Sequence, residues 1–297
     1  MDRFFSSIFK RKKKYPYDIK TAPLTDDQLK TVSMASNLPI TSQLIIGCGL
    51  SVGMQRDQNE DSLFTFSSKM SGEDKNLIYG LFIVADGMGG HEHGELASTV
   101  AINAMSTYIT KKMFIPLFGV KQDQPSDPLH ELMQNAINEA QQSVVRYAPG
   151  GGTTITSAFI LGDQVTLAHV GDSRAYFIYP DGRLQTVTRD HSLVRRLQEL
   201  GQISDKEAAE HPQRNVLYRA LGQNEPFEPD INTYPFPNGG FLMLCSDGLW
   251  NVLPESEIFP IIKSSPSLNV ACQRLIDAAN NAGGPDNISV ILVQYLM

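Results

Sequence analysis

FIVADGMGG (residues 82–90) runs apolar for four residues, stops on one carboxylate, Asp86, and turns through Gly87, Gly89 and Gly90. FLMLCSDGLW (241–250) repeats the device, with Asp247 at the end of an apolar run and Gly248 behind it. An Asp-Gly pair alone is an ordinary turn signal. Three further segments change the reading. RDQNEDSLF (56–64) sets Arg56, Asn59, Glu60 and Asp61 just before a strand-like run, HVGDSRAYF (169–177) sets Asp172 between two such runs, and GGPDNISVILV (283–293) sets Asp286 and Asn287 at the start of the last one. Five segments thus bring an acid to a strand end, and adjacent strands would gather those ends on one edge of a sheet assembly. Carboxylates without a matching cluster of bases repel one another, and hard divalent cations relieve that repulsion. An all-oxygen ligand set suits Mg²⁺ or Mn²⁺ rather than zinc. Glycine after the aspartate lets a main-chain carbonyl approach an ion, because no Cβ stands in the way.

Other chemistry-bearing patterns fail on spacing. DQNEDS (57–62) starts like an EF-hand loop but has Ser62 where glycine is required and Ser68 where glutamate is required. GDSRA (171–175) lacks the last glycine of a nucleophile elbow and leads into a strand. HEHGE (91–95) lacks metalloprotease spacing, so His91 and His93 read as solvated residues at a helix start. His169, inside an apolar run, reads as a core histidine, and GGTT (151–154) as a turn entering a strand.

The 297 residues, 41% of them hydrophobic, allow one large core or two modest ones. No run approaches the ~20 apolar residues of a membrane span, and the first residues lack a signal-peptide pattern, which points to the cytoplasm. Three cysteines, Cys48, Cys245 and Cys272, form neither a disulfide framework nor a metal knuckle. The net charge of −7 is uneven: residues 1–14 hold six basic residues against Asp2, which leaves −12 for the rest. So acidic a body speaks against nucleic acid as partner. Residues 1–40 read as a basic tail or linker, with KRKKK at 10–14. Phe4, Phe5, Ile8 and Phe9 share a helical face beside it, which suits weak contact of residues 1–14 with an anionic membrane surface, peripheral to the cytoplasm; a solvated tail is the plainer reading.

From residue 41 the pattern is globular. Strands are expected at 44–54, 63–67, 77–85, 153–161, 164–170, 174–179, 241–246 and 288–295, and helices at 94–113, 129–146, 192–201, 204–210, 255–263 and 267–281. Short turns such as LGDQ (161–164) and YPDGR (179–183) favour antiparallel pairing, so the order is α+β. Residues 189–222 are polar and read as an insertion over the surface.

RDQNEDS, VADGMGG, GGTT, AHVGDSRAY, RDHS, RALG, LCSDGLW and GPDNISVILV stand in the order and rough spacing of the metal-dependent protein phosphatases, the PPM or type-2C serine/threonine phosphatases, which residues 41–297 resemble. The DGMGG form is that of bacterial members. The resemblance implies a four-layer α-β-β-α sandwich, with two antiparallel sheets flanked by helices, and a centre of two Mn²⁺ or Mg²⁺ ions. It implies that Asp86 bridges the ions, that Asp247 and Asp286 complete one site, and that Asp61 and the Gly87 carbonyl belong to the other. Glu60 would act through a bound water and Asn287 would orient Asp286. Asp172, with Asp247, matches the site of a weaker third ion. Arg56 matches the arginine that grips the substrate phosphate, and segment 189–222 matches a flap beside the site. Met88 stands where eukaryotic members carry a histidine proposed as general acid, which leaves the proton source open.

The implied reaction is hydrolysis of phosphoserine or phosphothreonine in proteins by direct attack of a metal-bridging hydroxide. It needs no covalent phosphoenzyme, so Cys245, Cys272 and Ser173 have no expected catalytic role. A bacterial serine/threonine kinase is the opposing partner by analogy. Two alternatives share the fold: a non-catalytic phosphoprotein-binding module, which degenerate metal positions would mark, and a phosphatase of an anti-sigma-factor antagonist, which differs only in partner. A membrane scaffold built on the tail would explain residues 1–14 and none of the other motifs.

Overall fold

Asp86 ends a strand that is buried on both faces, and that burial explains its unbroken apolar run. The computed structural model describes residues 43–71, 76–89, 92–118, 128–223 and 228–296. The tail expected over residues 1–40, its contact with a membrane, and His91 lie outside the described residues.

The chain opens with β1 (Gln43–Ser51), β2 (Ser62–Ser71), β3 (Asn76–Ala85) and the two-residue β4 (Gly87–Met88). Helix α1 (Glu92–Ile109) follows and runs through a π turn (Thr110–Phe114) into α2 (Ile115–Phe118), so the helix expected at 94–113 changes its winding at its end. Then come α3 (Leu129–Tyr147), β5 (Gly152–Thr153), β6 (Ile155–Leu161), β7 (Gln164–Val170), β8 (Arg174–Ile178) and β9 (Leu184–Thr186). Helices α4 (Leu193–Glu199) and α5 (Asp205–Ala209) precede β10 (Asp230–Pro235) and β11 (Phe241–Cys245). The one-turn α6 (Asp247–Trp250), α7 (Glu255–Ser264), α8 (Leu268–Asn281) and β12 (Ile288–Leu296) complete the described elements.

Two antiparallel five-stranded sheets result, β1-β12-β11-β8-β9 and β10-β7-β6-β3-β2. Side chains alternate across each strand and so supply two faces. On β3, Phe82 and Val84 point between the sheets, where they meet Ala158, Leu242, Leu244 and Ile291. Tyr79, Leu81 and Ile83 point outward, onto Ala101 and Met105 of α1 and Met133 and Ile137 of α3. On the other outer face, Met243, Cys245, Val290 and Leu292 pack on Ile258 of α7 and Leu275 and Ile276 of α8. Three apolar interfaces therefore separate four layers, the α-β-β-α sandwich. Burying a single large apolar side chain in such an interface contributes about 1.5–3 kcal/mol.

Segment 189–222 is stitched to the turn between β7 and β8. The His191 main-chain N–H donates to Gly171 O (2.7 Å), and the Gly171 N–H donates back to His191 Nδ1 (3.1 Å). His191 is buried, not solvated as a surface insertion would suggest. His169 is buried beside it, its ring nitrogens placed on Thr156 Oγ1 (2.9 Å) and Arg189 O (3.1 Å).

Candidate active site

The strand register carries the acids to one end of both sheets. Ser62 pairs with Ala85, so Asp61 and Asp86 are neighbours at the ends of β2 and β3. Cys245 pairs with Val290 and with Arg174, so the approaches to Asp247, Asp286 and Asp172 meet at the matching end of the other sheet. A cleft of ≈ 250 Å³ opens there, lined by Arg56, Glu60, Asp86, Asp172, Asp247 and Asp286. Gly87, Met88 and Asn287 line it too, and Asn215 and Leu217 reach it from segment 189–222.

Asp61 lies beneath this cleft, 6% exposed. Its Oδ2 accepts hydrogen bonds from Ser246 Oγ (2.8 Å) and Ser289 Oγ (2.6 Å), both from the opposite sheet. Asp86 is fixed through its main chain: its N–H donates to Thr154 Oγ1 (3.0 Å), and its carbonyl accepts from the Thr154 N–H (2.8 Å) and Thr153 Oγ1 (2.8 Å). GGTT thus serves as a bracket for Asp86. Asp247 is the first residue of α6, so a helical turn stands where a loose glycine turn was expected.

Asn287 touches Asp286 through its main chain. Its main-chain N–H, not its side chain, donates to Asp286 Oδ1 (2.8 Å). The side chain staples the loop that carries Arg56 and Glu60: Nδ2 donates to Val52 O (2.8 Å) and Gln58 O (2.9 Å), and Oδ1 accepts from the Glu60 N–H (2.8 Å). Arg56 reaches across the rim and pairs with Asp286 Oδ2 at 2.8 Å while half exposed. Ser246, Ser289 and Thr154 are supporting residues that sequence reasoning missed. Their one signal was a hydroxyl inside or beside a buried apolar strand.

The electrostatics follow from crowding. Burial, then Asp247 and Asp286, push the Asp61 carboxyl up to about 7 against two opposing serine hydrogen bonds. Burial, then Asp286, push Asp247 up to about 6. Asp86 and Asp172 are raised well above the usual carboxylate range, again by burial first and neighbouring carboxylates second. By contrast, burial pushes the thiols of Cys245 and Cys272 up to about 12, which keeps them from acting as nucleophiles.

Do these residues fit divalent cations? Among the described residues no three His, Cys, Asp or Glu side chains are already drawn together as a ligand group. Two other observations support the fit. Asp61 Oδ1 and Asp247 Oδ1 are buried and have no hydrogen-bond partner, a costly state for carboxylate oxygens that a cation would relieve. Among the described residues no histidine or cysteine lines the cleft, and its carboxylates and main-chain carbonyls offer the oxygen ligands that suit Mg²⁺ or Mn²⁺. At Gly87 a Cβ would meet Gly94 O at 2.2 Å and Glu60 O at 2.5 Å, so only glycine fits where its main chain lines the cleft.

The comparisons with known proteins agree with this architecture. Residues 49–288 match the family model described as Protein phosphatase 2C. The chain is 39% identical over 248 residues to the serine/threonine phosphatase stp of Listeria innocua, covering 82% of this chain and 92% of that one. It is 34% identical over 248 residues to protein phosphatase PhpP of Streptococcus pneumoniae, covering 82% and 94%. Among solved structures, the Mycobacterium tuberculosis serine/threonine phosphatase PstP/Ppp superposes with a TM-score of 0.69 at 30% identity, covering 84% of this chain and 98% of that one. The catalytic domain of PstP in complex with two manganese ions superposes with a TM-score of 0.69 at 29% identity, covering 86% and 100%. A sandwich with its acids at one end, matched across both sheets, places this chain in the protein phosphatase 2C family.

Proposed function

We propose that the protein is a metal-dependent serine/threonine phosphatase that hydrolyses phosphoserine and phosphothreonine in proteins. The observation that carries this reading is the pair of buried, unpartnered oxygens on Asp61 and Asp247 at a cleft whose rim holds Arg56. Asp86, Asp247 and Asp286, with Asp61 and the Gly87 carbonyl, are the residues that hold Mg²⁺ or Mn²⁺, and Asp172 joins Asp247 in holding a further ion. When bound, such cations neutralise phosphoryl charge, polarise the ester and make water nucleophilic near neutral pH.

The chain's own residues do the rest. Arg56, already drawn toward the acids by Asp286, turns its remaining donors to the phosphate. Asn287 keeps the Arg56 loop in place, and Glu60, its main chain fixed by Asn287, lines the cleft where a water bound to the centre would sit. Segment 189–222 covers one side of the cleft through Asn215 and Leu217 and forms its flap. Met88 lines the cleft without offering a proton. Residues 1–40 serve as a basic linker, and a serine/threonine kinase supplies the phosphorylated substrates. No helix among the described residues is long and apolar enough to cross a membrane.

Release of phosphate from a phosphothreonine peptide tests the reading. Turnover that requires Mn²⁺ or Mg²⁺ and stops in EDTA is expected; a folded protein inert with both metals would remove it.

A further inference from the structure

The chain has one tryptophan, Trp250, and it stands between two of the cleft's carboxylates. Its indole N–H donates to the main-chain carbonyl of Asp172 at 3.0 Å. It also closes the single helical turn that Asp247 opens. One side chain thereby ties the loop bearing Asp172 to the turn bearing Asp247.

The guanidinium of Arg174 sits over the indole, 3.5 Å from the ring centroid. This is close cation–π contact, and a planar guanidinium suits it better than an ammonium would. The edge of the same guanidinium forms a two-pronged pair with Asp190, Nε to Oδ1 at 2.9 Å and Nη2 to Oδ2 at 2.7 Å. Asp190 and Arg174 are 9% and 23% exposed at their side chains, so the pair is held in place rather than swaying in solvent. Asp190 stands at the root of segment 189–222, beside His191, whose main chain is bonded to Gly171, the residue before Asp172. A continuous set of contacts therefore runs from the flap root through Asp190, Arg174 and Trp250 to Asp172 and the Asp247 turn.

We propose that Arg174 is a positioning residue that links the seating of segment 189–222, through Asp190, to the spacing of Asp172 and Asp247, through Trp250. The inference rests on the phosphatase reading in one respect, that Asp172 and Asp247 hold a cation. A cation shared by these two carboxylates is then the one whose affinity depends most on the flap root, because Trp250 touches the segments of both; a cation that has only Asp247 of the pair depends on it less. Partners one step removed from a metal typically set its affinity by ten- to a hundredfold.

The test is Mn²⁺ titration of the metal-free full chain, followed by calorimetry and by the emission of Trp250, which reports on this one place. In the wild type, emission should respond to the weakest-binding Mn²⁺. Asp190→Asn, which keeps shape and removes charge, and Arg174→Lys, which keeps charge and removes the flat two-pronged contact, should each raise the weakest midpoint by about tenfold or more. The tighter midpoints should move by a smaller factor than the weakest one. Trp250→Phe, followed by calorimetry alone, keeps a smaller aromatic ring under Arg174 and deletes the N–H with the rest of the indole; it should act in the same direction and stands in for either variant that fails to fold. An unchanged weakest midpoint in the folded variants overturns the inference. So does a wild type that binds Mn²⁺ and turns over phosphopeptide while Trp250 emission stays silent, an outcome that leaves the phosphatase reading standing. Neither binding nor turnover in the wild type overturns both.

Discussion

Asp86 and Asp247 follow buried strands of different sheets, and after burial itself the neighbouring carboxylates, Asp247 among them, push the Asp86 carboxyl up. The metal-free site is thus a set of like charges held together by the fold and eased by protonation.

Removing one of those charges should help the fold and harm the function. Asp86→Asn keeps the shape of the side chain and takes its charge away from Asp61, Asp247, Asp172 and Asp286. The metal-free variant should melt higher than wild type near pH 8, by roughly 1 kcal/mol for each pKa unit its neighbours regain. Phosphopeptide turnover should fall by about a thousandfold or more. A differential scan in EDTA and an initial-rate assay check the two halves.

The raised carboxylates set a pH signature. Asp61 near 7 and Asp247 near 6 in the folded state lie above their ordinary value of 3.8, so the folded protein binds more protons than the unfolded chain in between. Their stabilising contribution is complete below about pH 4 and is lost as pH rises through 6 and 7. His169, pushed down to about 4 by burial and then by His191, has the opposite sign, and its contribution is lost as pH falls below about 6.5. Above about pH 6.5 only the carboxylates act. Over about pH 6.5–7.5 the metal-free protein should lose up to about 1.4 kcal/mol per pH unit for each extra proton held. Saturating Mn²⁺ should flatten that slope, because the cation takes the place of the protons. Urea midpoints with and without metal measure both.

Arg56→Ala should raise KM for a phosphopeptide and the inhibition constant of free phosphate together, by about tenfold to a hundredfold, the worth of a charged hydrogen bond. Stability should barely move, since the Arg56–Asp286 pair is half exposed and such pairs contribute about 0–1 kcal/mol. Steady-state kinetics alongside a melting curve separate the two effects.

Asn287→Ala should behave in the reverse manner. It removes three bonds from a side chain 4% exposed and leaves Glu60 N–H, Val52 O and Gln58 O without their partner. Roughly 2–3 kcal/mol of stability should go, with KM rising because the Arg56 loop is released. A urea midpoint that falls at constant slope records the loss.

What could be read in advance follows a physical line. Strands with two buried faces, such as β3 and β11, show as continuous apolar runs, and their acids stand out because nothing apolar explains them. β9 and β10 were missed because they are edge strands: Asp230, Asn232 and Pro235 on β10 give no alternation to read. The turn Asp247–Trp250 was missed because Asp-Gly after a strand reads locally as a turn, and only packing makes it helical. Ser246 and Ser289 carry only a weak local signal, a hydroxyl inside or beside a buried apolar strand. Their meaning lies in Asp61, which reaches them from the other sheet. Asn287 follows Asp286 directly, but a side chain bonded to a loop far back in the chain cannot be read from its neighbours.

The central claim, that the strand-end carboxylates bind divalent cations and thereby hydrolyse phosphoesters, is tested most directly on one preparation each of wild type and Asp247→Asn. Bound Mn²⁺ and initial phosphopeptide hydrolysis would be measured on the same samples. The account predicts that wild type binds Mn²⁺ and turns over, and that the variant stays folded, binds fewer ions and loses turnover. A folded variant that keeps wild-type turnover, or a wild type that hydrolyses the peptide at full rate in EDTA with no metal bound, would contradict it.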